Sequence, residues 1–85
     1  MSGTPSTINV LYFAQVAEHT GLRREAWPLE SPIPGTEWLS ILEARYPQLA
    51  PTKRLKLAVN QYHVSHDSLI HPGDEVAVFE PVTGG

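Results

Sequence analysis

Apolar positions along the chain change period several times, and each change marks an element. Residues 8–13 put Ile8, Val10 and Tyr12 on one face and Leu11 and Phe13 on the other, the pattern of a central strand covered on both sides. From Ala14 to Thr20 the residues favour helix, and Gly21 is suited to cap its C-terminus, so a short helix is expected. Residues 24–29 alternate weakly, with Trp27 and Leu29 on one side. Pro28 donates no ladder hydrogen bond and points to an edge strand paired with the first.

Residues 31–35, Ser-Pro-Ile-Pro-Gly, form a stiff connector. Thr36 then offers an oxygen to cap a helix whose first turn carries Glu37, favourable at the positive end of the helix dipole. Trp38, Ile41, Leu42 and Arg45 or Tyr46 recur at helical spacing as one apolar stripe, which Pro47 ends. Leu55, Leu57 and Val59 alternate with Lys56 and Ala58 as a half-buried strand; Asn60 and Gln61 make a tight turn into a short strand, Tyr62 to Val64. His71-Pro72-Gly73-Asp74 suits a type II turn, and Glu75 to Phe79 forms the last strand, whose pairing Pro81 stops.

The order is strand, short helix, strand, main helix, strand, short strand, last strand. It fits an α+β β-grasp, as in ubiquitin, with a mixed sheet and one main helix on one face. A ferredoxin-like fold would need a second full crossover helix, for which Ala14 to Thr20 is too short. We expect three regions: residues 1–7 as an unstructured lead-in of Ser, Thr, Gly and Pro, residues 8–81 as the domain, and residues 82–85 as a flexible tail.

Composition narrows the chemistry. At 85 residues the chain supports one core and no deep catalytic cleft. A net charge of -3 without a basic run argues against nucleic acid, and no apolar run approaches the roughly 20 residues needed to cross a bilayer, so neither nucleic acid nor membrane is expected and the expected location is cytoplasmic. With no cysteine there is no disulfide, thiolate metal site or thiol nucleophile.

The C-terminus carries the candidate chemistry. With Gly at about 7% of an average protein, a terminal diglycine arises by chance in roughly one chain in two hundred. Gly84 and Gly85 suit a tail drawn through a narrow channel to a nucleotide, because glycine tolerates close backbone approach. A carboxylate is a poor electrophile; joined to AMP at the expense of ATP, it can be attacked by a sulfur nucleophile to give a thiocarboxylate. Thr83 and Val82 would thread with the glycines, and Phe79 and Pro81 form an apolar stem that would face a partner. An inert end is the competing reading, and it predicts a more polar stem.

Residues 8–14, Ile-Asn-Val-Leu-Tyr-Phe-Ala, with Ala58-Val59-Asn60-Gln61, residues 73–77 and Pro81-Val82-Thr83-Gly84-Gly85, resemble the MoaD-like sulfur carriers, the small subunits of molybdopterin synthase, over nearly all of the chain after Thr7. Glu80 stands where that family often has a second Pro, and Ala17 where an Arg is common. The resemblance implies that Gly85 is adenylated by a MoeB-like enzyme using ATP and converted to a thiocarboxylate by a sulfurtransferase. The tail then enters a MoaE-like large subunit and gives its sulfur to cyclic pyranopterin monophosphate for the molybdenum cofactor. It also implies a heterotetramer, no bound cofactor, and no catalysis by the isolated chain. Related carriers serving thiamin or tRNA thiolation, and ubiquitin-like modifiers, are the alternatives.

Other clusters weigh less. A zinc site wants three or four convergent ligands with a fixed second shell, and His63, His66 and His71 read instead as surface and turn residues, so no metal is expected; His63 on the short strand is placed at the partner-facing side. Ser65 and Asp67 with a nearby His supply triad residue types without triad geometry. Lys53, Arg54 and Lys56 read as a solvated loop, and Asp74 and Glu75 as residues that shape a turn.

Overall fold

A computed structural model describes residues 6–81 of the chain. Strands β1 (Thr7–Tyr12), β2 (Arg24–Pro28), β4 (Lys56–Val59), β5 (Tyr62–Val64) and β7 (Glu75–Phe79) form one sheet in the order β2-β1-β7-β4-β5. Only β1 and β7 run parallel; the other pairs are antiparallel. Helix α1 (Ala14–Thr20) joins β1 to β2, and α2 (Gly35–Arg45) crosses the sheet. This is the β-grasp arrangement, with the last strand inserted beside the first.

Ile8, Val10 and Tyr12 of β1, Trp27, Leu57, Val76 and Val78 are buried against Val16 of α1 and Trp38, Leu39 and Leu42 of α2. Both helices therefore contribute to one core on one side of the sheet. The expectation that β1 is covered on both sides is corrected: Leu11 is half-buried and Phe13 is 49% exposed, because they alternate onto the open face.

The turns follow their sequences. Gly21 closes α1 in the left-handed conformation (φ 80°), its N–H bonded to the Ala17 carbonyl at 2.8 Å. Asn60 and Gln61 both have positive φ (51° and 75°), joining β4 to β5. Gly73 (φ 91°) permits the turn in which the Asp74 N–H reaches the His71 carbonyl at 3.0 Å.

Three expectations for the middle of the chain change. Ile33–Pro34 is not only a connector: as β3 it pairs with β6 (Leu69–Ile70), a two-stranded ribbon too short to show alternation. Thr36 does not cap α2. The helix begins at Gly35, and the Gly35 and Thr36 N–H groups donate to the Ser68 and His66 carbonyls at 2.9 Å each, so loop backbone replaces a side-chain cap. A Cβ at residue 35 would lie 2.8 Å from the His66 carbonyl oxygen and 2.9 Å from Leu57, which explains the glycine there. Finally, the buried stripe of α2 is Trp38, Leu39 and Leu42; Ile41 lies 45% exposed.

Candidate functional site

Period-two alternation divides β1 and β7 between core and open face, whereas in β4 the expected alternation of Leu57 and Val59 with Lys56 and Ala58 is broken, because Ala58 is buried as well as Leu57 and Val59 is half-buried. On β7, Val76 and Val78 point to the core and leave Glu75, Ala77 and Phe79 on the other side. Register then builds the open surface: Lys56 lies opposite Phe79, Ala58 opposite Ala77, and His63 opposite Ala58. The His63 ring rests against Phe79 with centroids 5.2 Å apart and planes tilted by 56°. With Lys56, Leu57, Val64 and Pro81 they line a shallow groove of about 420 Å³.

Thus Phe79, Pro81 and His63, three residues singled out in the sequence, are brought together at the end of β7, on the same groove. Sequence spacing could not show that Lys56 and Val64 join them, since that depends on the register of three strands. Val82, Thr83, Gly84 and Gly85 lie outside the described residues.

Glu80 has a defined partner: its Oε2 accepts from the Arg54 guanidinium at 3.0 Å, with the two side chains 26% and 41% exposed. The pair joins the residue after β7 to the short turn Thr52–Arg54. Arg54 is therefore engaged within the molecule, while Lys53 and Lys56 remain exposed.

The histidines separate. His66 Nε2 lies 2.7 Å from the Leu55 carbonyl oxygen, His71 Nδ1 is 3.9 Å from Asp74 Oδ2, and His63 packs on Phe79. Ser65 Oγ lies 3.5 Å from Ser68 Oγ, not against an imidazole. Among the described residues no three His, Cys, Asp or Glu side chains form a group able to hold a metal ion. Asp74 shapes its turn by accepting from the His71 N–H at 2.9 Å and from Asn60 Nδ2 at 3.1 Å, while Asn60 Oδ1 accepts from the Glu75 N–H at 3.0 Å. The two loops beside β7 are tied to each other.

One polar cluster escaped the sequence reading. Glu25 shares the core-facing side of β2 with Trp27; its Oε1 accepts from the Tyr12 and Tyr46 hydroxyls at 2.8 and 2.9 Å and from Trp27 Nε1 at 3.0 Å, and its Oε2 accepts from Arg45 at 2.8 Å. Burial pushes the carboxyl up, but the hydroxyl donors, Arg45 and the indole outweigh it and hold Glu25 below its ordinary value. Burial, joined by the bond to Glu25, pushes the Tyr12 hydroxyl far above the usual tyrosine range. The weak alternation of β2 concealed this, because a carboxylate on the core side reads as a break in the pattern.

The family model described as the ThiS family matches residues 10–85. The chain belongs to the ThiS family. It is 39% identical to the molybdopterin synthase sulfur carrier subunit of Homo sapiens over 82 residues, covering 92% of this chain and 93% of that one. To the protein of the same name in Escherichia coli it is 40% identical, covering 92% and 99%. Among solved structures, a Pyrococcus furiosus protein described as subunit 1 of molybdopterin converting factor superposes with a TM-score of 0.79 at 25% identity, over 89% of this chain and 98% of that one. The MoaD-like resemblance and the β-grasp fold are borne out by these likenesses. Among the described residues no helix is long and apolar enough to cross a membrane.

Proposed function

We propose that the chain is the sulfur carrier and small subunit of a molybdopterin synthase, working through its terminal residue. The observation that carries this reading is the reach of the family match: it spans residues 10–85 and so includes the diglycine. The relatives' shared name supports the same reading.

In this reading the Gly85 carboxylate attacks the α-phosphorus of ATP on a MoeB-like enzyme, forming an acyl-adenylate and releasing pyrophosphate. A sulfurtransferase supplies sulfur at the sulfide level, which attacks the acyl carbon and displaces AMP, leaving a thiocarboxylate. The chain supplies the carried group and the partners supply catalysis, so no side-chain nucleophile is required of it, consistent with the absence of cysteine. The MoaE-like large subunit receives the tail, and the groove of Phe79, His63 and Pro81 forms part of its seat. An aromatic flanked by apolar side chains at the root of the tail is suited to anchor such a contact. Two sulfur transfers to cyclic pyranopterin monophosphate complete the dithiolene within an assembly of two large and two small subunits. ATP is consumed by the activating partner, and the setting is the cytoplasm.

Reconstitution tests the assignment. The charged chain, mixed with the large subunit and cyclic pyranopterin monophosphate, is expected to yield the dithiolene product and return to the carboxylate form. A charged chain that transfers sulfur only to a thiazole synthase or to tRNA-thiolating enzymes, or that appears as a Gly-Gly remnant on lysines, would overturn the molybdopterin assignment.

A further inference from the structure

Beside the open face, the junction of β1, α1 and β2 forms a second groove of about 760 Å³, whose walls include Leu11, Phe13, Ala17, Leu22, Arg23 and Arg24. Three observations coincide there. First, among the described residues five large hydrophobic side chains are exposed, and two of them, Phe13 (49%) and Leu22 (42%), line this one groove. Second, Arg45 and Arg54 each have a carboxylate within 3.0 Å, whereas Arg23 and Arg24 make no ion pair among the described residues. Glu18 on α1 lines the same groove, so two cations face one anion, a local excess of positive charge on a chain whose net charge is -3. Third, the groove adjoins the exit of the last strand: Phe13 donates its N–H to the Val78 carbonyl at 3.3 Å, and Leu11 pairs with Ala77 on one side and Arg24 on the other.

An exposed arginine alone is ordinary, and so is one exposed phenylalanine. Two unpaired guanidinium groups beside two exposed apolar side chains are a composite surface. It matches a segment that carries an apolar side chain next to a carboxylate, since the apolar part seats between Phe13 and Leu22 while a guanidinium fork takes the carboxylate. A partner that receives the tail must lie over this end of the sheet, and the groove begins one strand spacing from β7, roughly 5 Å away.

We propose that this groove receives an acidic, apolar-bearing segment of the large subunit, with Arg23 and Arg24 setting the rate and selectivity of docking. The inference rests on the function proposed above. The large subunit is chosen because the relatives are named as a subunit of a synthase, which implies a further subunit, and because the groove flanks β7 on the side opposite the proposed tail seat, so that one partner lying over the end of β7 would meet both.

The test uses the full chain and the purified large subunit. The double variant R23E/R24E is expected to keep the melting temperature of the unaltered chain and to bind the large subunit about tenfold more weakly in 50 mM salt, mainly through slower association, with the difference shrinking toward 0.5 M salt. R23Q/R24Q should fall between. Equal affinity and equal salt dependence for all three chains would overturn the groove assignment while leaving the carrier function standing. Loss of adenylation with unchanged large-subunit binding would assign the groove to the activating enzyme and overturn the choice of occupant. Failure of the unaltered chain to bind the large subunit would overturn the parent reading as well, which separates the two failures.

Discussion

At the scale of single residues, Glu25 shows how position decides what a charge does. On an edge strand a glutamate is usually solvated, yet this one faces the core and gathers two tyrosines, an indole and an arginine, with its side chain only 14% exposed. Arg45 also lies over the Trp27 and Tyr46 rings at 5.4 and 5.5 Å, so the cluster ties β2 to the C-terminal end of α2. The folded-state value of Glu25 is lowered, so its contribution to stability is present above the unfolded carboxyl's value of about 4.3 and is lost as pH falls through the lower folded value. E25Q is expected to cost about 1–3 kcal/mol at pH 7, measured by urea unfolding. The gap from the unaltered chain should narrow as the pH is taken below about 4; a gap that stays constant to pH 3 would contradict the role given to the charge.

At the scale of elements, the sequence was legible wherever period and turn chemistry agreed. Alternation gave β1, β4 and β7, while Gly21, Asn60 and Gly73 marked three reversals that require positive φ. It was less legible where tertiary contacts replace a local signal. Thr36 has the side chain of a cap, but the α2 N-terminus docks on loop carbonyls. The stripe selected Ile41 where Leu39 is buried, because the helix is rotated toward the turn Thr52–Arg54, whose Thr52 hydroxyl donates to the Leu39 carbonyl at 2.9 Å. The ribbon of β3 and β6 has two residues per strand and no period to detect. For the candidate site, the residue types were legible and their register was not: His63 meets Phe79 only through the pairing of β5, β4 and β7. The docking of α2 yields its own prediction. Alanine usually stabilises a helix relative to glycine by roughly 0.5–1 kcal/mol, but a methyl at residue 35 would press on backbone at 2.8 Å. G35A should therefore lower stability by a net of about 1–3 kcal/mol, read as a fall in melting temperature of about 4–8 °C per kcal/mol. A rise in melting temperature would contradict the close packing of α2 against the His66 loop.

At the scale of the whole molecule, the fold brings the side chains proposed to meet partners to one end of the sheet. The last strand lies inside the sheet, parallel to β1 and held by β4, so the residue that leads into the tail is anchored on both sides. The ion pair of Glu80 with Arg54 adds a further tie just before Pro81. The two grooves, one lined by half-buried Phe79 with exposed Pro81 and His63 and the other by exposed Phe13, Arg23 and Arg24, lie on either side of that exit. The claim on which the proposed function depends is that the reactive end is Gly85. Intact mass of the chain purified from its native host, and of the same chain after incubation with activating enzyme, ATP and a sulfur source, tests it most directly. A species heavier by about 16 Da, one oxygen replaced by sulfur, is expected, localised to Gly85 and absent when Gly85 is deleted. An unchanged mass in the presence of a competent activating enzyme, or the same gain on the chain lacking Gly85, would contradict it.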